Sequence, residues 1–502
     1  MSTPMTSPQR RRAFTTLFMV EMWERFGYYG MQALILYYMI QRLGFPDTRA
    51  NLVTSAAAAL VYATPAIGGL IGDRWLGTQR CIRIGAVILT AGYVLLALPV
   101  QSESFLMIGL SVVIVGNGFF KANAGNLLSR IYQHDTAALD SASTLYYMAV
   151  NVGSTLSMLL TPWVNDAVNA RYGSGLGWHA AFACCALGLL VGLANLMATR
   201  HTLHHVRSAL DQHRVPIIRW GMLLAMSVAL VAFSTLILSY TQLAALVVYA
   251  LALIVLVTFA VLILREPKAS RAGLLIAAIL TLQTMLFFIF YQQMFTSLNL
   301  FALHNVDLNA SLFGLSLWRW SPAQFQALDP IWIMLLSPLL AWGYTALERR
   351  HLGLPTPVKF LLGFLAITAG FAVFGSARTF AHDGLASSWV MIAGYGFFSL
   401  SELLISGLGI AMMSRYIPAH QRGFMIGIYF VATGLAQYAG GVIANLASVP
   451  ADIDNAPLSL PIYSGFFMRM CLTGVGFCVL VAVTLPWLLA LQRRHALAHS
   501  PS

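Results

Sequence analysis

Glu21-Met22-Trp23-Glu24-Arg25-Phe26-Gly27-Tyr28-Tyr29-Gly30-Met31 sits inside an apolar stretch that runs from Phe14 to Ile40. As a helix, that stretch is long enough to cross a bilayer. Glu21, Glu24 and Arg25 stand at i, i+3 and i+4, so the three charges project from one helical face. Ionised groups are costly in hydrocarbon and rare there without a purpose. Two carboxylates and a guanidinium on one face require a wet, protein-lined interior, which points to a pathway with a proton-accepting group. The plain alternative is a buried ion-pair network that only ties helices together.

Working outward, the whole chain has the same character. It is 502 residues long, 59% hydrophobic and only 9% charged, against about 25% charged in an ordinary soluble domain. A polytopic, all-helical membrane protein is expected. Fourteen apolar spans can be read between residues 13 and 491. The apolar stretch after Arg10-Arg11-Arg12 is too long and too polar for a cleavable leader, so the first helix is expected to be retained.

The net charge of +12 raises the question of nucleic acid, and its distribution answers it. Most Lys and Arg residues, among them residues 10–12, 74, 80, 83, 200, 207, 214, 349, 350, 493 and 494, fall at the termini and in loops on the N-terminal side. The positive-inside rule then places both termini in the cytoplasm. The basic surplus is topology and attraction to the lipid bilayer, and no nucleic-acid partner is expected. Cys81, Cys184, Cys185, Cys471 and Cys478 lie in or beside apolar spans without CxxC spacing, and read as core residues. His201, His204, His205 and His213 cluster in a basic linker without a carboxylate partner, so no metal and no cofactor are expected. No nucleophile–base pair stands at usable spacing, and the chain is not expected to be an enzyme.

Three further stretches carry chemistry. Gly116-Asn117-Gly118-Phe119-Phe120-Lys121-Ala122-Asn123 places a lysine in the middle of the fourth span, with no acid nearby in sequence. It must find its partner on another helix. Ser401-Glu402-Leu403 does the same for a carboxylate late in the chain. Leu145-Tyr146-Tyr147-Met148-Ala149-Val150-Asn151-Val152-Gly153 offers an amide that can bond a backbone amide or an ammonium, or serve as glue between helices.

The first stretch, ExxERFxYYG, resembles at every fixed position the signature of the proton-dependent oligopeptide transporters, a branch of the major facilitator superfamily. The GxGxxKxN context of Lys121 and the context of Asn151, similar to FYxxINxG, belong to the same resemblance. So does Gly68-Gly69-Leu70-Ile71-Gly72-Asp73-Arg74-Trp75-Leu76-Gly77-Thr78-Gln79-Arg80, which resembles the superfamily loop GxLaDrxGrr; Glu348-Arg349-Arg350-His351-Leu352-Gly353 is a weaker second copy. The resemblance implies a major facilitator fold of two six-helix bundles, residues 13–200 and 272–491. Residues 201–271 then form a linker and an inserted helical hairpin, fourteen crossings in all. It implies proton-coupled symport of di- and tripeptides, with protons as co-substrate, in a chain read as a monomer. Proton coupling would fall to Glu21, Glu24, Arg25, Lys121 and Glu402. The peptide carboxylate would meet Arg25 and Lys121, and its ammonium Glu402 with Asn151. Tyr28, Tyr29, Tyr62, Gln292, Asp329 and Tyr429 would complete the substrate site, and Gln32, Asp73 and Arg74 the gates.

Four positions depart from the family pattern. Gln32 stands where many members have arginine, and Gln292 where many have glutamate, so a gate ion pair becomes two amides. Tyr429 replaces a frequent tryptophan. Asp329-Pro330 replaces the usual Asn-Pro, and Asp329 is expected either to favour peptides with a cationic N-terminal side chain, to act as an extra protonatable group, or simply to cap a helix. A carrier of nitrate-like anions or of cationic drugs is the rival reading. An anion needs the cations but not Glu402, a cationic drug needs the reverse, and this chain has both. A membrane sensor without transport is the remaining rival.

Overall fold

The computed structural model describes residues 5–499 apart from residues 134, 174, 267, 313–314, 351, 410–414, 418–421, 451–452 and 454. Helix dominates. The helices are α1 (Ser7–Tyr37), α2 (Asp47–Ile71), α3 (Thr78–Ala97), α4 (Glu103–Ile131), α5 (Thr136–Tyr172), α6 (Leu176–Ala198) and the short α7 (Ala209–Gln212). They continue with α8 (Ile217–Ser239), α9 (Thr241–Arg265), α10 (Lys268–Tyr291), α11 (Ser297–Asn305), α12 (Leu328–Arg349), α13 (Thr356–Gly375), α14 (Ser388–Ile405), α15 (Arg422–Ala444) and α16 (Ala456–His499). In hydrocarbon a backbone must satisfy its own hydrogen bonds, and the helix does this within one segment.

Among the described residues, 12 helical segments are long and apolar enough to cross a membrane. This is a multi-pass, helical membrane protein. Two more helices, α1 with 31 residues and α5 with 37, have the length to cross but carry more polar side chains. They are the two that hold the ExxER stretch and Asn151.

The ends of these helices are written locally. Thr6 and Gln9 form a capping box at the start of α1, with proline in its first turn. Asp135 accepts from the Ala138 amide at the start of α5 (3.0 Å). Gly173 and Gly175 take φ of 93° and 114° in the turn from α5 to α6, a region that side chains disfavour. Tyr240 alone separates α8 from α9.

The chain divides into two compact units, Met1–Pro46 with Ala56–Ala244, and Asp47–Ser55 with Ala245–Ser502. In the first, α1 packs on α5 and α6, α3 packs on α4 and α6, and α8 lies on α4. Lipid is as apolar as leucine, so close backbone contact and polar bonds hold such helices together. A Cβ at Gly68 of α2 would run into the Gly118 carbonyl of α4, and one at Gly153 of α5 into the Met22 carbonyl of α1. Asn123 on α4 donates to the Gly68 carbonyl of α2 (2.9 Å). In the second unit α13 packs on α14 and α16, α10 on α15 and α16, and α12 on α14.

The division runs through the expected hairpin, since α8 and the first turn of α9 fall in the first unit and the rest of α9 in the second. Both helices are apolar and largely exposed. Two small antiparallel hairpins, β1 (Asn309–Leu312) with β2 (Leu315–Arg319) and β3 (Ala381–His382) with β4 (Leu385–Ala386), add to the second unit. The five cysteines are free thiols, four of them buried and Cys184 partly so. No group of three or more potential metal ligands occurs among the described residues.

Candidate functional site

In the first unit the ExxER residues converge. Arg25 lies on α1 beside both acids of its own helix, its Nε 2.5 Å from Glu24 Oε2 and 3.5 Å from Glu21 Oε1. All three side chains are at least 96% buried. Spacing on the helix delivers this pairing. Neighbouring helices complete it: Asn117 of α4 donates to Glu24 Oε1 (3.3 Å), and the Tyr146 hydroxyl of α5 bonds Glu21. The Arg25 guanidinium lies 5.2 Å from the Tyr28 ring and 6.0 Å from that of Tyr29, within cation–π range.

Lys121 lies one helical turn beyond Asn117 on α4, with its Nζ 5.0 Å from the Tyr62 ring centre. It is close enough to feel the charges of Arg25, Glu24 and Glu21. The first unit thus gathers Glu21, Glu24, Arg25, Tyr28, Tyr29, Tyr62 and Lys121. Two polar atoms in this cluster, Glu21 Oε2 and Arg25 Nη2, are buried without a hydrogen-bond partner among the described residues. Such atoms are costly to leave unmade. Asn151 is turned differently. Its amide donates to the Tyr147 carbonyl one turn back on α5 (2.8 Å).

The second unit has its own cluster. The Tyr291 hydroxyl at the end of α10 lies 2.8 Å from Glu402 Oε2 on α14 and 3.1 Å from Asp329 Oδ2 on α12. Ser399, one turn before Glu402 on α14, donates to Asp329 Oδ1 (2.7 Å). Asp329 is buried in the first turn of α12, which a 3-10 turn, Pro322–Ala327, leads into. Gln292, in the 3-10 turn after α10, donates to Ser55 (3.1 Å). Gln293 donates to the Gly440 carbonyl (2.9 Å). Tyr429 of α15 bonds Thr284 of α10.

Of the expected gate residues, Gln32 keeps a buried Oε1 without a hydrogen-bond partner among the described residues. Asp73 accepts from Asn126 of α4 (3.4 Å), in a π-helical turn that closes α2. The last residue of that loop motif, Arg80, does something the sequence reading missed. It donates to the carbonyls of Leu76, Leu210, Asp211 and His213 at 2.7–3.2 Å. Asp211 in turn accepts from the Gln79 and Arg80 amides at the start of α3. The basic linker is therefore bound down on the end of α3. Asn117 and Tyr146 were also missed as site residues. Asn117 had a signal, since it stands at i−4 from Lys121 and so shares its face.

A buried, charged cluster among membrane helices suits a transport pathway, and known proteins identify the fold and the family. The sequence model of the POT family matches residues 79–458, and the chain belongs to that family. It is 39% identical over 478 residues to dipeptide and tripeptide permease A of Proteus mirabilis, covering 95% of each chain. It is 38% identical over 491 residues to the permease of the same name from Chromobacterium violaceum, covering 97% of this chain and 96% of that one. Among solved structures, tetrameric PepTSo2 is 50% identical, with a TM-score of 0.89, over 96% of this chain and 99% of that one. A POT peptide transporter in complex with alafosfalin is 25% identical, with a TM-score of 0.79, over 95% of each chain.

Proposed function

We propose that this chain is a proton-coupled symporter that brings di- and tripeptides into the cytoplasm by alternating access. The observation that carries this reading is the buried cluster of two carboxylates, a guanidinium and an ammonium in the first unit. With Glu21 and Glu24 ionised, the formal charges of the four groups cancel. A proton on either glutamate leaves net positive charge at Arg25 and Lys121, and that charge suits a peptide carboxylate. Proton and carboxylate then favour each other's binding, which is the reciprocal linkage that symport needs. The unpartnered Arg25 Nη2 is the donor for that carboxylate. Glu402 is the anion that a peptide ammonium requires, and Asn151 stays assigned to substrate contact with the aromatic walls of Tyr28, Tyr29, Tyr62 and Tyr429.

Each proton moved inward is worth about 1.4 kcal/mol per pH unit plus about 2.3 kcal/mol per 100 mV. One proton per peptide therefore supports roughly tenfold or greater accumulation of a neutral zwitterion. The chain crosses the inner membrane fourteen times with both termini cytoplasmic, as a monomer in three parts: residues 13–200, 201–271 and 272–491. Gln32, Asp73 and Arg74 act in gating, and the chain is a carrier rather than an enzyme. The test is uptake of labelled dialanine by reconstituted vesicles. Accumulation should require an inward proton gradient and collapse with a protonophore. Uptake that ignores the gradient would overturn coupling, and no uptake at all would overturn the peptide reading.

A further inference from the structure

Tyr291 presents one hydrogen to two carboxylates. A phenol is a single donor with lone pairs to spare, yet Glu402 Oε2 and Asp329 Oδ2 lie 2.8 Å and 3.1 Å from its oxygen. Asp329 is also in side-chain hydrogen-bond contact with Glu402, a contact that two ionised carboxylates cannot make without a shared proton. Ser399 adds little relief. Its one hydrogen has three acceptors in reach: Asp329 Oδ1 (2.7 Å), the Asp329 carbonyl (3.1 Å) and the Tyr395 carbonyl (3.0 Å). Asp329 is 7% exposed, so water cannot readily supply the missing donors. Among the described residues, the titratable groups that face Asp329 are Tyr291 from α10, Glu402 from α14 and Tyr395, also from α14.

We propose that Asp329, Tyr291 and Glu402 form a proton-sharing site in the second unit, which holds one proton across two carboxyls through the phenol. The bonding closes with that single added proton. The protonated carboxyl donates to the Tyr291 oxygen, and Tyr291 donates its own hydrogen to the other carboxylate. Transfer of both hydrogens along this chain moves the negative charge from one carboxyl to the other with no net gain or loss. Glu402 can thus be freed as an anion for an ammonium while the proton passes to Asp329. This site is additional to Glu21 and Glu24, and its role in transport rests on the symporter reading above. The carboxylate at 329 is what creates it, because an amide there cannot share a proton with Glu402.

The experiment pairs infrared spectroscopy with transport. Purified parent, Asp329→Asn and Tyr291→Phe proteins are titrated with acid and alkali, and the carbonyl band of protonated carboxyl groups is followed. The parent should show a carboxyl component that titrates as a shared proton. Asp329→Asn should lose that component, and Tyr291→Phe should move its midpoint by a pH unit or more, a tenfold change in proton concentration. In vesicles, Asp329→Asn should shift the pH profile of driven dialanine uptake by about one unit, whatever its maximal rate. An Asp329 that only caps α12 would lower thermal stability and leave both the band and the profile unchanged, and that result would overturn the proposal. If the parent carries no dialanine the symporter reading fails, while the infrared titration still decides whether the carboxyls share a proton.

Discussion

Lys121 and the two glutamates of α1 are the residues on which function should turn most sharply. Lys121 lies against the Tyr62 ring rather than in a close ion pair of its own among the described residues of the first unit. Lys121→Ala should therefore abolish proton-driven uptake while the protein still elutes as a folded species in detergent; near-normal uptake would remove the lysine from the mechanism. Glu24→Gln and Glu21→Gln imitate permanent protonation. Each variant should retain counterflow, and at least one should lose accumulation. If both accumulate dialanine like the parent, the coupling proton binds elsewhere, with the Asp329 and Glu402 pair the next candidate. At this scale the sequence was most informative about residues on one helix. Glu21, Glu24 and Arg25 were legible because i, i+3 and i+4 fix a common face. Asn117 and Tyr146 were quoted within motifs yet not assigned, because their bonds to Glu24 and Glu21 reach from other helices, and helical period reports a face without naming what lies across from it. The same limit hid the Tyr291 bridge, whose two partners are 38 and 111 residues away.

Elements show the complementary pattern. Most spans were readable from hydropathy, since a bilayer selects length and apolarity before anything else. How the linker is held was not legible. Basic composition predicts exposure, but Arg80 lies at the start of α3, outside the linker, and binds the linker's carbonyls there. Hydrogen bonds to charged groups contribute about 1.5–3 kcal/mol each, net of the bonds to water they replace. Arg80→Ala should lower the melting temperature by a few degrees and open residues 200–214 to limited proteolysis, measured on the protein in detergent. Protection equal to the parent would show that Asp211 alone holds the linker. The hairpins β1–β2 and β3–β4 were also missed. They are four residues or shorter for three of the four strands, too short for alternation to register against a helical background. Gly68→Leu is the harsher test of an element. The Gly118 carbonyl occupies the place its side chain needs, so expression of folded protein should fall steeply, whereas Gly125, with open space around it, should accept alanine.

For the whole molecule, symport of one proton with a neutral zwitterion moves one positive charge inward. At equal pH on both sides, an inside-negative potential should therefore drive dialanine uptake, with about 2.3 kcal/mol available per 100 mV. A potassium diffusion potential set with valinomycin makes the measurement; uptake indifferent to its sign would mean that transport is electroneutral. The halves' resemblance to a distant repeat was visible in two loop motifs, yet the two units are not copies in their chemistry. The first pairs acids with bases, and the second joins two acids through a phenol, because residue 329 is Asp.

One property of the core bears on how such motion could be watched. All five thiols are buried or partly buried among apolar helices, so none faces bulk water as a ready nucleophile. Thiolates, not thiols, react with maleimides, and an apolar wall keeps a polar reagent away from the sulfur. The native chain should take up little of a polar, membrane-impermeant maleimide, as intact-mass measurement would show. A cysteine placed anywhere along the transport path would then report its own exposure to either side of the membrane against a silent background, without first stripping the natural ones from the sequence.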